Sequence, residues 1–238
     1  MAMALVTARQ VGAALVMNGS FDNTANTFTV NHSDSGAMAL GTSSTVNGGR
    51  ILPGWTVFAP VGGNISWDLS ASVAGGNPYG LTPSSGNGSQ YFLDLTGWTD
   101  GAGGYGGVSQ VVQHTVAGQQ YQLSFDIGSS TRYDGTTAPG IQVMINGHAV
   151  GSPNYAAISG PNNWTLGTVD FTAAAHTTAT TIRLNGVSAG GPIEYIGLDN
   201  VRLTAVPEST TVFAGAGALG LVVLGVFRSR RSGVIRIG

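Results

Sequence analysis

Aromatic and acidic side chains recur in the glycine-rich segments of this 238-residue chain, where no apolar periodicity surrounds them. Exposed rings in such loops can lie flat against a ligand, and nearby carboxylates can accept hydrogen bonds from its polar groups. We therefore predict ligand contacts from Trp98, Tyr105, Tyr79, Tyr133, Asp100 and Asp134. Turn capping is the alternative for the two acids. Trp55 and Trp164 instead begin apolar runs, which favours packing in the core.

Two patterns associated with catalysis or cofactors lack the setting they need. The segment from Gly186 to Gly190 matches a nucleophile elbow around Ser188, but that chemistry requires a strand–turn–helix and here the chain continues into a strand. Residues 101–106 and 215–220 match the dinucleotide fingerprint, but the first opens no helix and the second lies in an apolar tail segment. The four histidines lack metal-site spacing. We therefore predict that the chain is not an enzyme.

The elements that must position these residues are strands. Between residues 15 and 206, apolar residues alternate with polar ones in short runs separated by Gly, Asn, Ser and Pro. Such runs are 90–96, 108–116, 121–127, 141–145, 166–172, 180–184 and 194–203. About ten antiparallel strands predict an all-β, two-sheet jelly-roll sandwich. Segments 33–49, 73–89 and 97–107 are then loops, and Asn146-Gly147 and Asn185-Gly186 predict tight turns.

Charge is scarce and unevenly placed. Charged residues make up 8% of the chain and lysine is absent, so the residues up to Glu208 hold five arginines against eleven acids, a net charge of about −6. Nucleic-acid binding is disfavoured because it needs a basic patch. The chain has no cysteine, which excludes disulfides and thiolate metal sites.

The C-terminal residues combine a Val-Pro-Glu box, an apolar run at 210–227 and an arginine cluster. About 18 uncharged residues reach the lower length of a membrane-spanning helix, and arginines mark its cytoplasmic end. This order resembles the PEP-CTERM tail of Gram-negative bacteria, read by the membrane enzyme exosortase, although Ser209 stands where a second proline is common. The resemblance implies cleavage near Glu208; a permanent single-span anchor is the alternative. The implied sorting residues are Val206, Pro207, Glu208, Arg228, Arg230 and Arg231.

The chain also resembles the DUF642 group of galactose-binding-like modules, with the carbohydrate-binding modules of xylanases as wider relatives. The matching pieces, in order, are LVMNGSFD (15–22), LPGW (52–55), FLDL (92–95), GVSQ (107–110), YQLSF (121–125) and GLDNVRL (197–203). The resemblance implies a galactose-binding-like jelly-roll sandwich that binds polysaccharide. It also implies that the loop aromatics stack on sugar rings, and that one structural Ca²⁺ is often present.

The calcium expectation rests on Asp199 and Asp22. Asp199 is in phase with Val201 and Leu203, so we expect it to point toward the core, where a carboxylate needs a partner. Asp22 can join it if the first and last strands are neighbours, as the resemblance implies, and oxygen ligands suit Ca²⁺. The alternative is that loop N–H groups satisfy Asp199 without metal.

These observations predict four parts: a residual or truncated signal segment (1–14), a galactose-binding-like domain (15–205), a sorting signal with a hydrophobic helix (206–231) and a tail (232–238). We expect a non-enzymatic protein of a Gram-negative bacterium, exported as an inner-membrane-anchored precursor and then placed at the cell surface. Its expected partners are extracellular polysaccharide, exosortase and, through the helix, the membrane. A glycoside hydrolase or lyase using Asp94, Asp100, Asp134 or Glu194, and a structural biofilm component, are the alternatives.

Overall fold

The fold consists of strands wherever the structure, a computed structural model, describes the chain. The described residues are 15–23, 37–41, 52–59, 64–69, 84, 90–97, 104–129, 137–157, 163–190 and 195–207. Twelve strands lie in these ranges. They are β1 (Ala37–Leu40), β2 (Thr56–Phe58), β3 (Ile65–Leu69), β4 (Tyr91–Asp94), β5 (Gly107–Gln113), β6 (Gln120–Ser129), β7 (Pro139–Ile145), β8 (His148–Ala149), β9 (Asn154–Tyr155), β10 (Asn163–Thr172), β11 (Ala179–Ser188) and β12 (Gly197–Ala205).

The strands form two antiparallel sheets. The first sheet has the order β1-β3-β4-β12-β6-β10, and the second has the order β2-β5-β11-β7-β8 with β9 also paired to β7. From β4 to β7, and again from β10 to β12, consecutive strands alternate between the sheets. The predicted all-β, two-sheet sandwich is therefore confirmed. The predicted C-terminal hydrophobic helix lies outside the described residues.

The core forms between the sheets from the apolar side of each alternating strand. In β6 the predicted inward face is confirmed, because Tyr121, Leu123, Phe125 and Ile127 are buried while their neighbours toward the start of the strand are exposed. Trp55 is also buried in this core, as expected.

Two turn expectations had different outcomes. Asn146 and Gly147 both have positive φ and join β7 to β8, as the Asn-Gly pair predicts. Asn185-Gly186 does not form a turn, because both residues pair inside β11. The predicted loop at 33–49 contains a strand, β1.

The chain divides into two compact units, Met1–Val206 and Pro207–Gly238. The first contains the sandwich. In the second only Pro207 belongs to the described residues. Within the described part of the chain, no helix is long and apolar enough to span a membrane.

Candidate functional site

An acid–aromatic cluster lies on the face of the first sheet that points away from the sandwich core. Strand pairing sets this orientation: Ser66 of β3 pairs with Asp94 of β4 and Asp68 pairs with Phe92, whereas the residues between them face the core. Although they point outward, these four side chains are at most 3% exposed. The acid–aromatic cluster is defined as Ser66, Asp68, Phe92, Asp94, Trp164 and Tyr195.

Asp68 is the least compensated acid of the cluster. Burial raises the pKa of its carboxyl well above the usual value and the charge of Asp94 raises it further, whereas the hydrogen bond from Tyr195 lowers it. The Tyr195 hydroxyl donates to Oδ2 across 3.4 Å, and Oδ1 is buried without a hydrogen-bond partner. Asp68 therefore holds its proton more tightly than an ordinary aspartic acid does, as a general acid requires.

The carboxyl of Asp94, unlike that of Asp68, accepts several hydrogen bonds. Its Oδ1 accepts hydrogen bonds from the Thr96 N–H at 3.0 Å, the Thr96 hydroxyl at 2.8 Å and the Ile196 N–H at 3.2 Å. The cluster therefore contains two acids in different surroundings: one has three donors at a single oxygen, and the other has an unpartnered oxygen and a raised pKa.

The aromatic part of the cluster begins beside Asp68, with its cross-strand partner Phe92 and its hydrogen-bond partner Tyr195. Phe92 meets Trp164 edge-on, with ring centroids 5.9 Å apart at 78°, and Tyr195 at 6.4 Å and 62°. Trp164 lies over two paired glycines: a Cβ on Gly128 would come within 2.9 Å of the indole ring, and one on Gly197 within 3.1 Å. Trp164 is partly buried and packs against Phe92 and Tyr195, outside the larger core between the two sheets.

Asp199 also points away from the core, which corrects the orientation expected from its spacing. It pairs with Asp126, which lies on the more exposed side of β6. A β-bulge follows Asp199, with Asn200 at φ 55°, and the extra residue returns Val201 and Leu203 to the core side. The carboxylate is nevertheless buried, as expected.

Hydrogen bonds and neighbouring charges surround Asp199. Its Oδ2 accepts from the Ser84 N–H at 3.1 Å and the Ser84 hydroxyl at 3.4 Å, and its Oδ1 accepts from the Asn200 N–H at 2.7 Å. Burial raises the pKa of Asp199 to about 7; the Asn200 and Ser84 N–H groups lower it, and the charges of Asp22 and Asp126 raise it. The two acids expected to share a metal, Asp22 and Asp199, are thus electrostatic neighbours.

Asp22 itself bridges to the start of β4. Its Oδ1 accepts hydrogen bonds from the Gln90 N–H at 2.7 Å and the Tyr91 N–H at 3.3 Å. Within the described ranges, no group of three or more His, Cys, Asp or Glu residues is arranged to hold a metal ion. The contacts of Asp199 described so far are hydrogen bonds from the Ser84 and Asn200 N–H groups and from the Ser84 hydroxyl.

Most of the predicted ligand-binding residues lie outside the described residues: Trp98, Tyr79, Tyr133, Asp100 and Asp134. Tyr105 is described, and its ring is half-buried against the main core. Val206 closes the domain through its N–H to the Gln120 carbonyl and its carbonyl to the Gln119 amide. It also lines a cavity of about 210 Å³ at the end of β6 and β10 remote from Trp164. Of the other sorting residues, Pro207 is exposed, and Glu208, Arg228, Arg230 and Arg231 lie outside the described residues.

Solved structures with a similar fold include the Stig cyclase Fisc from Fischerella sp. TAU, in complex with (3Z)-3-(1-methyl-2-pyrrolidinylidene)-3H-indole. It has a TM-score of 0.54 and 16% identity, and the match covers 82% of this chain and 97% of that one. A cyclase from the same organism in complex with 4-(1H-indol-3-yl)butan-2-one has a TM-score of 0.51 and 16% identity, over 81% of this chain and 96% of that one. At this identity the likeness concerns the fold.

The sequence itself matches the family described as HpiC1-like, HpiC1 cyclase, over residues 13–204. Among curated proteins, none matches this sequence. The family match covers the segments that were compared with DUF642 modules, and it assigns them to a family of enzymes.

Several expectations from the sequence are therefore wrong. The chain is not identified as a PEP-CTERM surface protein with a DUF642-like domain, because the family match is to the cyclases. The non-enzymatic role is wrong for the same reason, as are the polysaccharide-active and structural alternatives. The expected polysaccharide and exosortase partners are also wrong, because the matching family is one of cyclases. The physical reason is that the matching pieces are spread over the sandwich domain as a whole, and a fold does not determine a function.

Proposed function

Because the chain belongs to the HpiC1-like cyclase family, we propose that it is a cyclase that closes a ring within a small, largely apolar molecule by acid catalysis. The observation that carries the proposal is Asp68, a buried carboxyl with raised pKa and one unpartnered oxygen. Phe92 and Tyr195 lie beside it, and Trp164 packs against Phe92. The similar Fischerella cyclases were solved with indole derivatives, and we carry the indole ring over as the proposed substrate class.

The proposed reaction begins with proton transfer from Asp68 to an electron-rich carbon of the substrate. The π-electron pair of that carbon forms the new C–H bond and leaves a cation on the neighbouring carbon. A second π bond of the same molecule attacks this cation and forms the ring C–C bond. Loss of a proton to the Asp68 carboxylate restores both the double bond and the acid. Substrate and product are isomers, so the step needs no oxidant, reductant or added group.

The other residues of the cluster have roles that follow from their contacts. Aromatic faces stabilise a nearby cation by about 0.5–2 kcal/mol each when water is excluded. Asp94 keeps Asp68 protonated through its charge. Tyr195 fixes the orientation of the Asp68 carboxyl through the bond to Oδ2, which leaves Oδ1 as the oxygen that can carry the transferred proton.

Ring closure can be tested with a panel of alkenyl-substituted indoles. We expect a product of unchanged mass, a new retention time and no alkene signal in the NMR spectrum. In D₂O, we also expect deuterium to replace hydrogen at a ring carbon of 4-(1H-indol-3-yl)butan-2-one. Asp68→Asn should slow both reactions about 100-fold or more, the usual cost of losing a general acid.

The matched control is Asp170→Asn. Asp170 is an exposed acid of β10, hydrogen-bonded to Gln122 and remote from the acid–aromatic cluster. Equal rates for Asp68→Asn, Asp170→Asn and the unaltered protein would exclude Asp68 as the acid. Failure of the unaltered protein with every indole of the panel would count against the substrate class.

A structural Ca²⁺ ion is a second part of the proposal. Asp22, Asp126 and Asp199 bring together negative charge and carboxylate oxygen atoms of the kind Ca²⁺ prefers. The ion would neutralise this charge and hold the segment around Asp22 against β12. We expect Ca²⁺ to raise Tm in the unaltered protein and to have no effect on Asp199→Asn. An unchanged Tm in the unaltered protein would remove the metal.

Three finer descriptions also belong to the proposal. A galactose-binding-like jelly roll is supported by the alternation of consecutive strands between the two sheets. The division into 1–14, 15–205, 206–231 and 232–238, with a hydrophobic helix in the third part, stays a prediction from the sequence. So does export from a Gram-negative cell, which fractionation of a producing cell would test.

A further inference from the structure

We propose that the Ser66 hydroxyl binds a ring N–H of the substrate and thereby places the adjoining ring carbon in front of Asp68 Oδ1. This inference rests on the proposed cyclase function and names the group that orients the substrate. It begins with two buried polar atoms that have no hydrogen-bond partner, Ser66 Oγ and Asp68 Oδ1.

The two atoms belong to one surface. Ser66 and Asp68 are two residues apart on β3, so their side chains leave the same face of the sheet. Their side chains are 2% and 3% exposed. A buried polar group without a partner destabilises a fold, and native proteins keep such groups mainly where a ligand or water completes them.

The Ser66 hydroxyl forms no hydrogen bond with a neighbouring side chain of the described residues. Asp94 is its cross-strand partner, but Asp94 Oδ1 is occupied by Thr96 and the Ile196 N–H. A hydroxyl oxygen can accept an N–H bond, whereas a protonated Asp68 donates. The pair therefore offers one acceptor and one proton donor side by side.

The spacing fits a compact heteroaromatic molecule. Residues i and i+2 of a strand lie roughly 6.6–6.8 Å apart along its axis. A ring N–H bonded to Ser66 and a ring carbon within proton-transfer distance of Asp68 together cover a separation of this size. An indole whose N–H meets Ser66 would turn a carbon of the same ring toward Asp68, with Phe92 paired across the sheet from Asp68.

The test compares 4-(1H-indol-3-yl)butan-2-one with its N-methyl derivative by titration calorimetry. We expect the unaltered protein to bind the N–H compound about tenfold more tightly, since one hydrogen bond contributes about 1.4 kcal/mol. Ser66→Ala should remove this preference. Ser124→Ala is the control, because Ser124 lies on the same side of the first sheet in β6 and pairs with Arg202.

Thermal melting separates a substrate contact from a structural role. If Ser66 awaits a ligand, Ser66→Ala removes an unsatisfied group and should raise Tm by about 2–4 °C. If a resident water bridges the hydroxyl, the same change should lower Tm, and this result would overturn the inference.

The outcomes for the two proposals are distinguishable. An unchanged N–H preference in Ser66→Ala overturns the role of Ser66 even if Asp68→Asn abolishes deuterium exchange. Binding with the expected preference but without exchange or ring closure leaves Ser66 in place and contradicts the cyclase function. Absence of binding by either compound overturns the Ser66 contact.

Discussion

Asp68 and Asp94 lie on neighbouring strands within one buried cluster, and their hydrogen bonds give them different properties. Asp94 accepts three bonds at one oxygen, whereas Asp68 has one long bond and one vacant oxygen. The charge of the first acid raises the pKa of the second. At the scale of the residue, the charge of one aspartate therefore raises the pKa of the other, and the oxygen without a partner marks the acid that we propose meets the substrate.

The first prediction concerns the pH dependence of turnover. Activity should fall as pH rises through the raised pKa of Asp68, because the acid then loses its proton. Asp94→Asn removes a negative charge while keeping a carbonyl oxygen for the Thr96 and Ile196 donors, so this alkaline limb should move to lower pH. The measurement is kcat against pH for both proteins. A limb at the same pH in both would show that Asp94 does not tune Asp68.

The second prediction concerns stability near Asp199. The folded pKa of about 7 lies above the ordinary value of 3.8, so the folded state holds the proton more tightly. Without Ca²⁺, this group should therefore destabilise the protein progressively from about pH 4 to pH 7, by about 1.4 kcal/mol per pKa unit of difference. Denaturant unfolding of the unaltered protein and Asp199→Asn checks this.

Asp199→Asn loses an N–H bond at every pH, because an amide nitrogen cannot accept as the carboxylate oxygen does, but it also removes the charge that destabilises the unaltered protein toward pH 7. The informative quantity is thus the slope with pH, which should be smaller in the variant. Parallel slopes from pH 4 to pH 7 would contradict the assignment. Added Ca²⁺ should weaken the slope of the unaltered protein, because a bound cation favours the carboxylate.

At the scale of the element, the paired glycines of β6 and β12 leave the space that the Trp164 ring occupies. Gly128 and Gly197 face each other across the strands, and the indole covers the space that two Cβ atoms would fill. The aromatic wall of the site is therefore built as much by missing side chains as by the rings. A bulkier residue on either strand would push Trp164 away from Phe92.

The third prediction follows from the packing of Trp164 over these two glycines. Gly128→Ala should destabilise the protein by about 1–3 kcal/mol, the usual cost of overpacking, and should reduce turnover through displacement of Trp164. Trp164→Leu removes the obstructing ring, so the same Gly128→Ala change should then destabilise the protein less. A double-mutant cycle measures the coupling. Additive effects would show that the alanine is accommodated without moving the indole.

The strands could be predicted from the sequence more completely than the site. Alternation located β6 and its buried face, since each inward residue is apolar and each outward one polar. Alternation across residues 65–69 could also have shown Ser66 and Asp68 on one face, but nothing local indicates that β4 brings Asp94 beside them. The orientation of Asp199 was predicted wrongly because a bulge shifts the alternation of the strand by one residue. The cause of the bulge, the positive φ of Asn200, produces no repeating pattern in the sequence. The fold therefore followed from local pattern, and the site depended on long-range pairing.

At the scale of the whole molecule, one sandwich carries every described feature of the site. The first sheet supplies the acid–aromatic cluster on its outer side and half of the core on the other. Catalytic geometry and domain stability are thus linked through the same strands. Substitutions that loosen the core side of β3, β4 or β12 should also disturb the acids on the reverse side.

The fourth prediction concerns the boundary of this unit. Two hydrogen bonds hold the end of the domain: the Val206 N–H donates to the Gln120 carbonyl at 2.9 Å, and the Gln119 side-chain amide donates to the Val206 carbonyl at 2.6 Å. A chain ending at residue 207 keeps both and should melt within about 2 °C of the full chain, a shift that corresponds to under 1 kcal/mol. A chain ending at residue 203 loses both and should melt lower. A large drop for the longer version would place the boundary beyond Pro207.

The position of β12 has a consequence for how the protein is made. This last strand lies in the middle of the first sheet, between β4 and β6. As the ribosome delivers the chain from its N-terminus, β1, β3 and β4 form one piece and β6 and β10 another, each with an open edge that invites pairing with other chains. The two pieces can join only after residues 197–205 have been synthesised. We therefore expect the domain to mature after translation and to depend on chaperones that shield those edges in the meantime.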